Sequence, residues 1–156
     1  MDSLSLRGCP MWPQLTRTDD TVTALVLRLA LGIVMFPHGA QKLLGWFGGR
    51  GFFGTIDLFH ELGFPAIVAV LVTIGEFFGG LGLLVGFLSR VAAGGIGIIM
   101  LGAVLTVNWH NGFFMNWAGK PVREGFEFHI LAIGLAIAIM IHGGGKWSID
   151  RALAKN

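Results

Sequence analysis

The 156-residue sequence predicts an all-α protein, an integral membrane four-helix bundle, and three observations carry that reading. Charged residues make up 13% of the chain and hydrophobic ones 54%, against about 25% charge in a soluble domain. The mean hydropathy is +0.73. Stretches such as LVLRLALGIVMF and VAAGGIGIIMLGAVLTV are continuously apolar, whereas the strands of a membrane barrel alternate apolar and polar residues over about ten positions.

A spanning helix needs about 20 mostly apolar residues to cross about 30 Å of hydrocarbon, and the sequence offers four. The first covers Val22 to Leu44. The second runs from Phe64 to Leu88, with Pro65 in its first turn, where the missing N–H costs nothing. Val91 to Trp109 forms the third and carries no formal charge. The fourth, Glu127 to His142, is short and reaches full length if extended back toward Val122. Between the first two spans, GWFGGRGFFGTIDLFHELG opens as a turn. Thr55 to Leu62 then suits a short interfacial helix with Ile56, Leu58, Phe59 and Leu62 toward lipid. Only Ser89-Arg90 separates spans two and three, so these are antiparallel neighbours. Gly75xxxGly79 and Gly82xxxGly86, with Gly95 and Gly102 on span three, predict close helix contact there.

Residues 1–21 read as an N-terminal tail, 22–145 as the membrane domain and 146–156 as a C-terminal tail. The first twenty residues contain Asp2, Asp19, Asp20, Pro10 and Pro13 and no apolar core of a secretory signal. One side of the membrane would hold Arg7, Arg17, Arg90, Lys146, Arg151 and Lys155, the other Lys42, Arg50, Lys120 and Arg123. This bias puts both termini in the cytoplasm. Basic residues form no patch and the net charge is only +2, which argues against nucleic acid as a partner. Cys9 is the single cysteine, which excludes an intrachain disulfide, a CxxC pair and a cysteine-based metal centre.

Function has to come from polar residues within apolar spans, each costing roughly 3 kcal/mol at mid-bilayer on the insertion scale. Glu76 stands near the middle of span two. Arg28, about two turns into span one, is read as its partner in a buried charge pair, with snorkelling to headgroups as an alternative. His38, Gln41 and Lys42 share a face of span one, just after Pro37. Gly102, Thr106 and His110 form a stripe on span three that ends in Asn108-Trp109-His110-Asn111. Span four opens with Glu124, Glu127 and His129, although Glu127 and His129 point roughly 200° apart. With alternating spans, these residues converge on the end of the bundle away from the termini, with Glu76 beneath them.

Three uses of that cluster stay open. Polar groups and Trp46, Trp109 and Trp117 can lie at headgroup level. They can line a pocket where His and Glu exchange protons with a quinone or similar ligand. They can bind metal through His38, Glu76, His110 and Glu127, but the Glu-x-x-His pairs of a diiron bundle are missing, so no metal is assigned. The run Gly48-Gly49-Arg50-Gly51 lacks the helix and acidic partner of a nucleotide site.

The runs LRLALGIVMFPHGAQKLLGWFGG and GEFFGGLGLLVGFLSRVAAGGIGIIML, the Asn108–His110 segment and the Glu127 opening of span four resemble the DoxX family of four-helix membrane proteins. The resemblance covers about residues 22 to 145. It implies a bacterial-type inner-membrane protein tied to respiratory or detoxifying redox systems. These include a subunit of archaeal thiosulfate:quinone oxidoreductase, a membrane partner of superoxide dismutase and a sulfurtransferase, and factors protecting against quinones and catechols. The matching positions are Arg28, His38, Gly39, Lys42, Glu76, Gly79, Gly80, Arg90, His110 and Glu127. The expected function is a membrane subunit or partner of an oxidoreductase system, oligomeric or in a complex. In it His38, His110, Glu127 and Glu76 move protons, and Arg28, Lys42, Gln41, Asn108 and His129 contact the ligand. A scaffold that docks a soluble redox enzyme through Arg50, Lys120 or Arg123, and a small proton-coupled transporter, are the alternatives.

Overall fold

A computed structural model of the chain describes residues 15–116 and 124–154. The stretch 1–14, with Cys9, the segment holding Trp117, Lys120 and Arg123, and Lys155 lie outside them. The described residues are helical with no strand. Helix α1 is Val22–Leu44, α2 Gly51–Glu61, α3 Ala66–Val85, α4 Ser89–Ala103, α5 Glu127–His142 and α6 Ile149–Ala154. Helix α4 continues as a π-helical turn, Val104–Asn108, and a 3₁₀ turn, Trp109–Asn111. Three continuous segments are long and apolar enough to cross a membrane: Val22–Leu44, Ala66–Val85 and Ser89–Asn111. Helix α5 is apolar over 16 residues, about 24 Å at the α-helical rise.

Local signals set the helix limits. Thr21 caps α1 by accepting from the Ala24 N–H at 3.2 Å, and Gly45 ends it in the left-handed region at φ 73°. Pro65 precedes α3, so that helix starts two residues later than the apolar run suggested. Helix α5 is not extended backward through Glu124–Phe126. There the backbone turns to pair with the preceding loop, Phe126 N–H donating to Gly112 O and Glu127 N–H to Phe113 O. Helix α2 starts four residues before the expected interfacial helix, and Thr55 is buried on it, donating to Lys42 O at 3.2 Å and Gly51 O at 2.8 Å. This contact turns α2 onto α1. Phe59, expected to face lipid, consequently borders the bundle interior, while Leu62 borders the same cavity and stays 45% exposed.

The four long helices form a ring in the order α1, α3, α4, α5, with α2 lying across α1 and α3. In lipid, apolar burial gives helices little reason to associate, so shape and small residues decide the contacts. The tightest is between α1 and α3. A Cβ on Gly39 would strike the Phe77 backbone nitrogen, and one on Gly80 would lie 2.6 Å from the Phe36 nitrogen. Gly75, Gly79 and Gly82 face α4 as expected, but among the described residues a Cβ on Gly95 or Gly102 would meet nothing within 4 Å. Those two glycines serve no helix contact among the described residues. The core below the site is built from Leu31, Met35, Leu83, Ala93, Ile96 and Ile139.

At the end of the bundle where α1 starts and α5 stops, buried charges close the helix termini. Arg28 is 1% exposed and donates to Leu83 O (2.6 Å), Leu84 O (2.7 Å) and Gly144 O (2.8 Å). Two of these are carbonyls in the last turn of α3 that no helical N–H reaches. Arg90 serves the end of α5 likewise, donating to Met140 O and Ile141 O. Asp150 accepts from Leu88 N–H and Ser89 N–H at the start of α4, where a carboxylate suits the helix dipole. The segment after Gly145 is thus packed on the bundle over its described part.

Candidate functional site

The opposite half of the bundle contains a cavity of about 610 Å³, within the size range of small-molecule sites. Its walls are mostly aliphatic and aromatic, including Met35, Val72, Ile99, Phe59 and Phe128. Among them stand His38 and Lys42 from α1, Glu76 from α3, Asn108 from the π turn, and Glu124 and His129 around the start of α5.

Lys42 Nζ and Glu76 Oε2 form an ion pair at 2.5 Å, the lysine side chain 27% exposed and the glutamate 5%. The ammonium, in the last turn of α1, makes the Glu76 carboxylate tolerable inside its apolar span. The expected partner of Glu76 was Arg28, and the structure corrects this. The Gly39–Phe77 and Gly80–Phe36 contacts set the register of α1 against α3. Arg28 thereby lies about twelve residues, roughly 18 Å along the helix, from the level of Glu76. The lysine one turn beyond His38 takes the place assigned to the arginine.

The His38 ring lies 6.3 Å from the Phe128 ring, and Phe128 packs edge-on against His129 at 5.7 Å. His129 Nδ1 is buried without a hydrogen-bond partner among the described residues, an omission that costs about 1–3 kcal/mol. Thr73 Oγ1 and Ser89 Oγ share that condition, but neither borders the cavity. Asn108 donates to Glu124 O at 3.0 Å, and Glu124 Oε2 accepts from Asn116 N–H. These bonds tie the loop to the cavity rim.

The structure therefore brings together His38, Lys42, Glu76, Asn108 and His129, and leaves four other candidates outside. Arg28 is at the far end. Gln41 donates to Phe47 O at 3.4 Å and borders a smaller cleft between α1 and α2. Glu127 accepts from Met115 N–H at 2.9 Å and braces the loop. His110 is exposed. The reason is the π turn: its wider helical step breaks the four-residue spacing that aligned Gly102, Thr106 and His110. Thr106 stays at the cavity while His110 swings away. That turn, a kind of irregularity frequent at functional sites, was invisible in the apolar run. Phe128 and Met35 were equally hard to single out, since a wall residue looks like any other apolar residue. Among the described residues no three His, Cys, Asp or Glu side chains are grouped to hold a metal ion.

The arrangement joins an apolar chamber to two imidazoles and a neutralised Lys–Glu pair. Imidazoles donate and accept protons, a buried carboxylate accepts only, and an ammonium steadies a developing negative charge.

The sequence is 30% identical over 129 residues to the Bacillus subtilis protein named "Putative oxidoreductase CatD", covering 83% of this chain and 85% of that one. It is 31% identical over 137 residues to the inner membrane protein YqjF of Escherichia coli, covering 87% and 95%. A match of 30% over 157 residues, 95% of this chain and 91% of the relative, links it to the membrane protein Rv3486 of Mycobacterium tuberculosis. No solved structure matches the chain. The DoxX family profile matches residues 23–109, a stretch that holds α1, α2, α3, the π turn and most of the cavity wall; the chain belongs to the DoxX family of membrane proteins.

Proposed function

We propose that the protein is the inner-membrane component of an oxidoreductase system, with both termini cytoplasmic, and that its cavity binds a quinone-type molecule. The observation that carries this reading is the cavity: about 610 Å³, mostly apolar, with His38, Lys42, Glu76 and His129 in its lining. Such a chamber suits a flat, mostly apolar ring with two carbonyl oxygens. His38 and His129 hydrogen-bond those oxygens or their hydroxyl forms. Lys42 holds an anionic form, and Glu76 keeps the ammonium in place. Quinone and quinol differ by two electrons and two protons. The side chains handle the protons, and the electrons pass to or from a partner redox enzyme. The relative named as an oxidoreductase supports this class of chemistry.

The protein in lipid nanodiscs is titrated with decylubiquinone, and binding is read from quenching of tryptophan fluorescence. Wild type binds, and His38→Ala and Glu76→Gln weaken binding about tenfold or more, the loss of one charge-assisted hydrogen bond, at unchanged membrane levels. Wild-type-like binding by both variants would exclude the cavity as the site. Unchanged binding combined with loss of activity on substitution at Arg50, Lys120 or Arg123 would favour a docking scaffold.

A further inference from the structure

On the side between α3 and α4 the cavity is bordered by exposed side chains. Deeper in the bundle these helices touch: a Cβ on Gly75 would meet Ile99 Cδ1 at 2.6 Å, and one on Gly79 would meet Ile96 at 3.3 Å. One turn beyond Ile99 the contact ends. Among the described residues a Cβ on Gly102 would meet nothing within 4 Å, although Gly102 borders the cavity. The π turn follows at once and widens the helix path. Leu71 is 63% exposed and Ile98 74% exposed, and both also border the cavity. In a spanning helix the medium these side chains meet is hydrocarbon, so an apolar lip costs nothing. Thr106 does not make the lip polar, because its hydroxyl donates to Gly102 O at 2.7 Å.

Both imidazoles and the ammonium come from the helices across the chamber from this opening, and Glu76, although on α3, is paired with that ammonium. His38 and Lys42 belong to α1 and His129 to α5, which are opposite α3 and α4 around the ring. A molecule that came in from water would meet polar groups first. One arriving from the bilayer through the gap meets them last, head foremost.

We infer that the gap between α3 and α4, bounded by Leu71, Ile98, Gly102 and Thr106, is a lateral mouth. Through it a membrane-dissolved amphiphile inserts a compact polar head and leaves its hydrocarbon tail lying in the gap. This rests on the reading of the cavity as a quinone-type site, and adds that the ligand is tailed and that its tail passes Gly102. The class selected is an alkyl- or isoprenoid-tailed ring. A bare ring fills the chamber but gains nothing from the mouth.

Gly102 gives a clean test because a side chain there has open space and ordinary helical backbone. Gly102→Phe plugs the mouth, and Gly102→Leu repeats the test with a smaller plug. Both are compared with wild type in nanodiscs, using decylubiquinone and the tail-less ring 2,3-dimethoxy-5-methyl-1,4-benzoquinone as probes. The expected result is that the plug weakens the tailed probe about tenfold, the loss from expelling roughly two methylenes, and leaves the tail-less probe within about twofold, graded from Leu to Phe. Equal loss of both probes, or loss of neither, overturns the lateral mouth while leaving the cavity as the binding site. Failure of wild type to bind either probe overturns the quinone-type reading and the mouth with it.

Discussion

The two ends of this bundle use buried charge in opposite ways. Where the described chain starts and ends, the charges of Arg28, Arg90 and Asp150 are committed to backbone, although Ser89 Oγ there has no partner among the described residues. Arg28 holds Leu83 O, Leu84 O and Gly144 O, Arg90 holds the last carbonyls of α5, and Asp150 holds the first N–H groups of α4. At the other end Lys42 and Glu76 have each other, and His129 Nδ1 has no partner among the described residues. All three border a cavity. A charge spent on helix termini is structural, whatever its cost. Polar groups arranged around empty apolar space are available to something else, and this difference separates Arg28 from Lys42 more sharply than their positions in the sequence do.

Substitutions should respect that division. Arg28→Leu leaves three buried or part-buried carbonyls without their donor and should cost roughly 3–5 kcal/mol, visible as a large fall in thermal stability in detergent and in membrane yield. Lys42→Met isolates Glu76 and should cost about 1–3 kcal/mol. The double variant Lys42→Met, Glu76→Gln recovers most of that stability yet does not bind decylubiquinone. A double-mutant cycle scored on both stability and binding checks it; binding by the double variant would place Lys42 and Glu76 with the structural charges. Asp150→Ala removes the cap on α4 at about 1–2 kcal/mol and leaves ligand affinity unchanged. The smallest effect is at Gly102. Ala there meets open space and should be neutral or stabilise by up to about 1 kcal/mol through helix propensity, whereas Gly39→Ala, whose Cβ strikes the Phe77 backbone, destabilises. Equal responses at these two glycines would show that the gap between α3 and α4 is filled.

Most of the frame was legible in the sequence. Helix α1 matches its apolar run from Val22 to Leu44 because Thr21 and Gly45 mark its ends chemically, and α5 matches Glu127 to His142 for a similar reason at Gly143. His38, Lys42, Glu76 and His129 were legible as functional candidates because titratable residues in such runs are costly. Their partners were not. Pairing Glu76 with Lys42 depends on the register between α1 and α3, and that depends on which glycines let two backbones touch, a property of packing that spacing along one chain does not contain. The third span, which carries no formal charge, hides an irregularity, since nothing in VLTVN distinguishes a π turn from an α turn. That one irregularity removed His110 from the cavity and kept Thr106.

What fills the cavity decides between a ligand site and a structural void. A crystal structure grown from a lipid mesophase doped with decylubiquinone tests this directly. The prediction is density for a ring within hydrogen-bond distance of His38 and His129, beside the Lys42–Glu76 pair, with its tail leaving between Ile98 and Leu71 past Gly102. A cavity collapsed onto its own side chains, with His129 Nδ1 bonded to protein and no ring density, would contradict it.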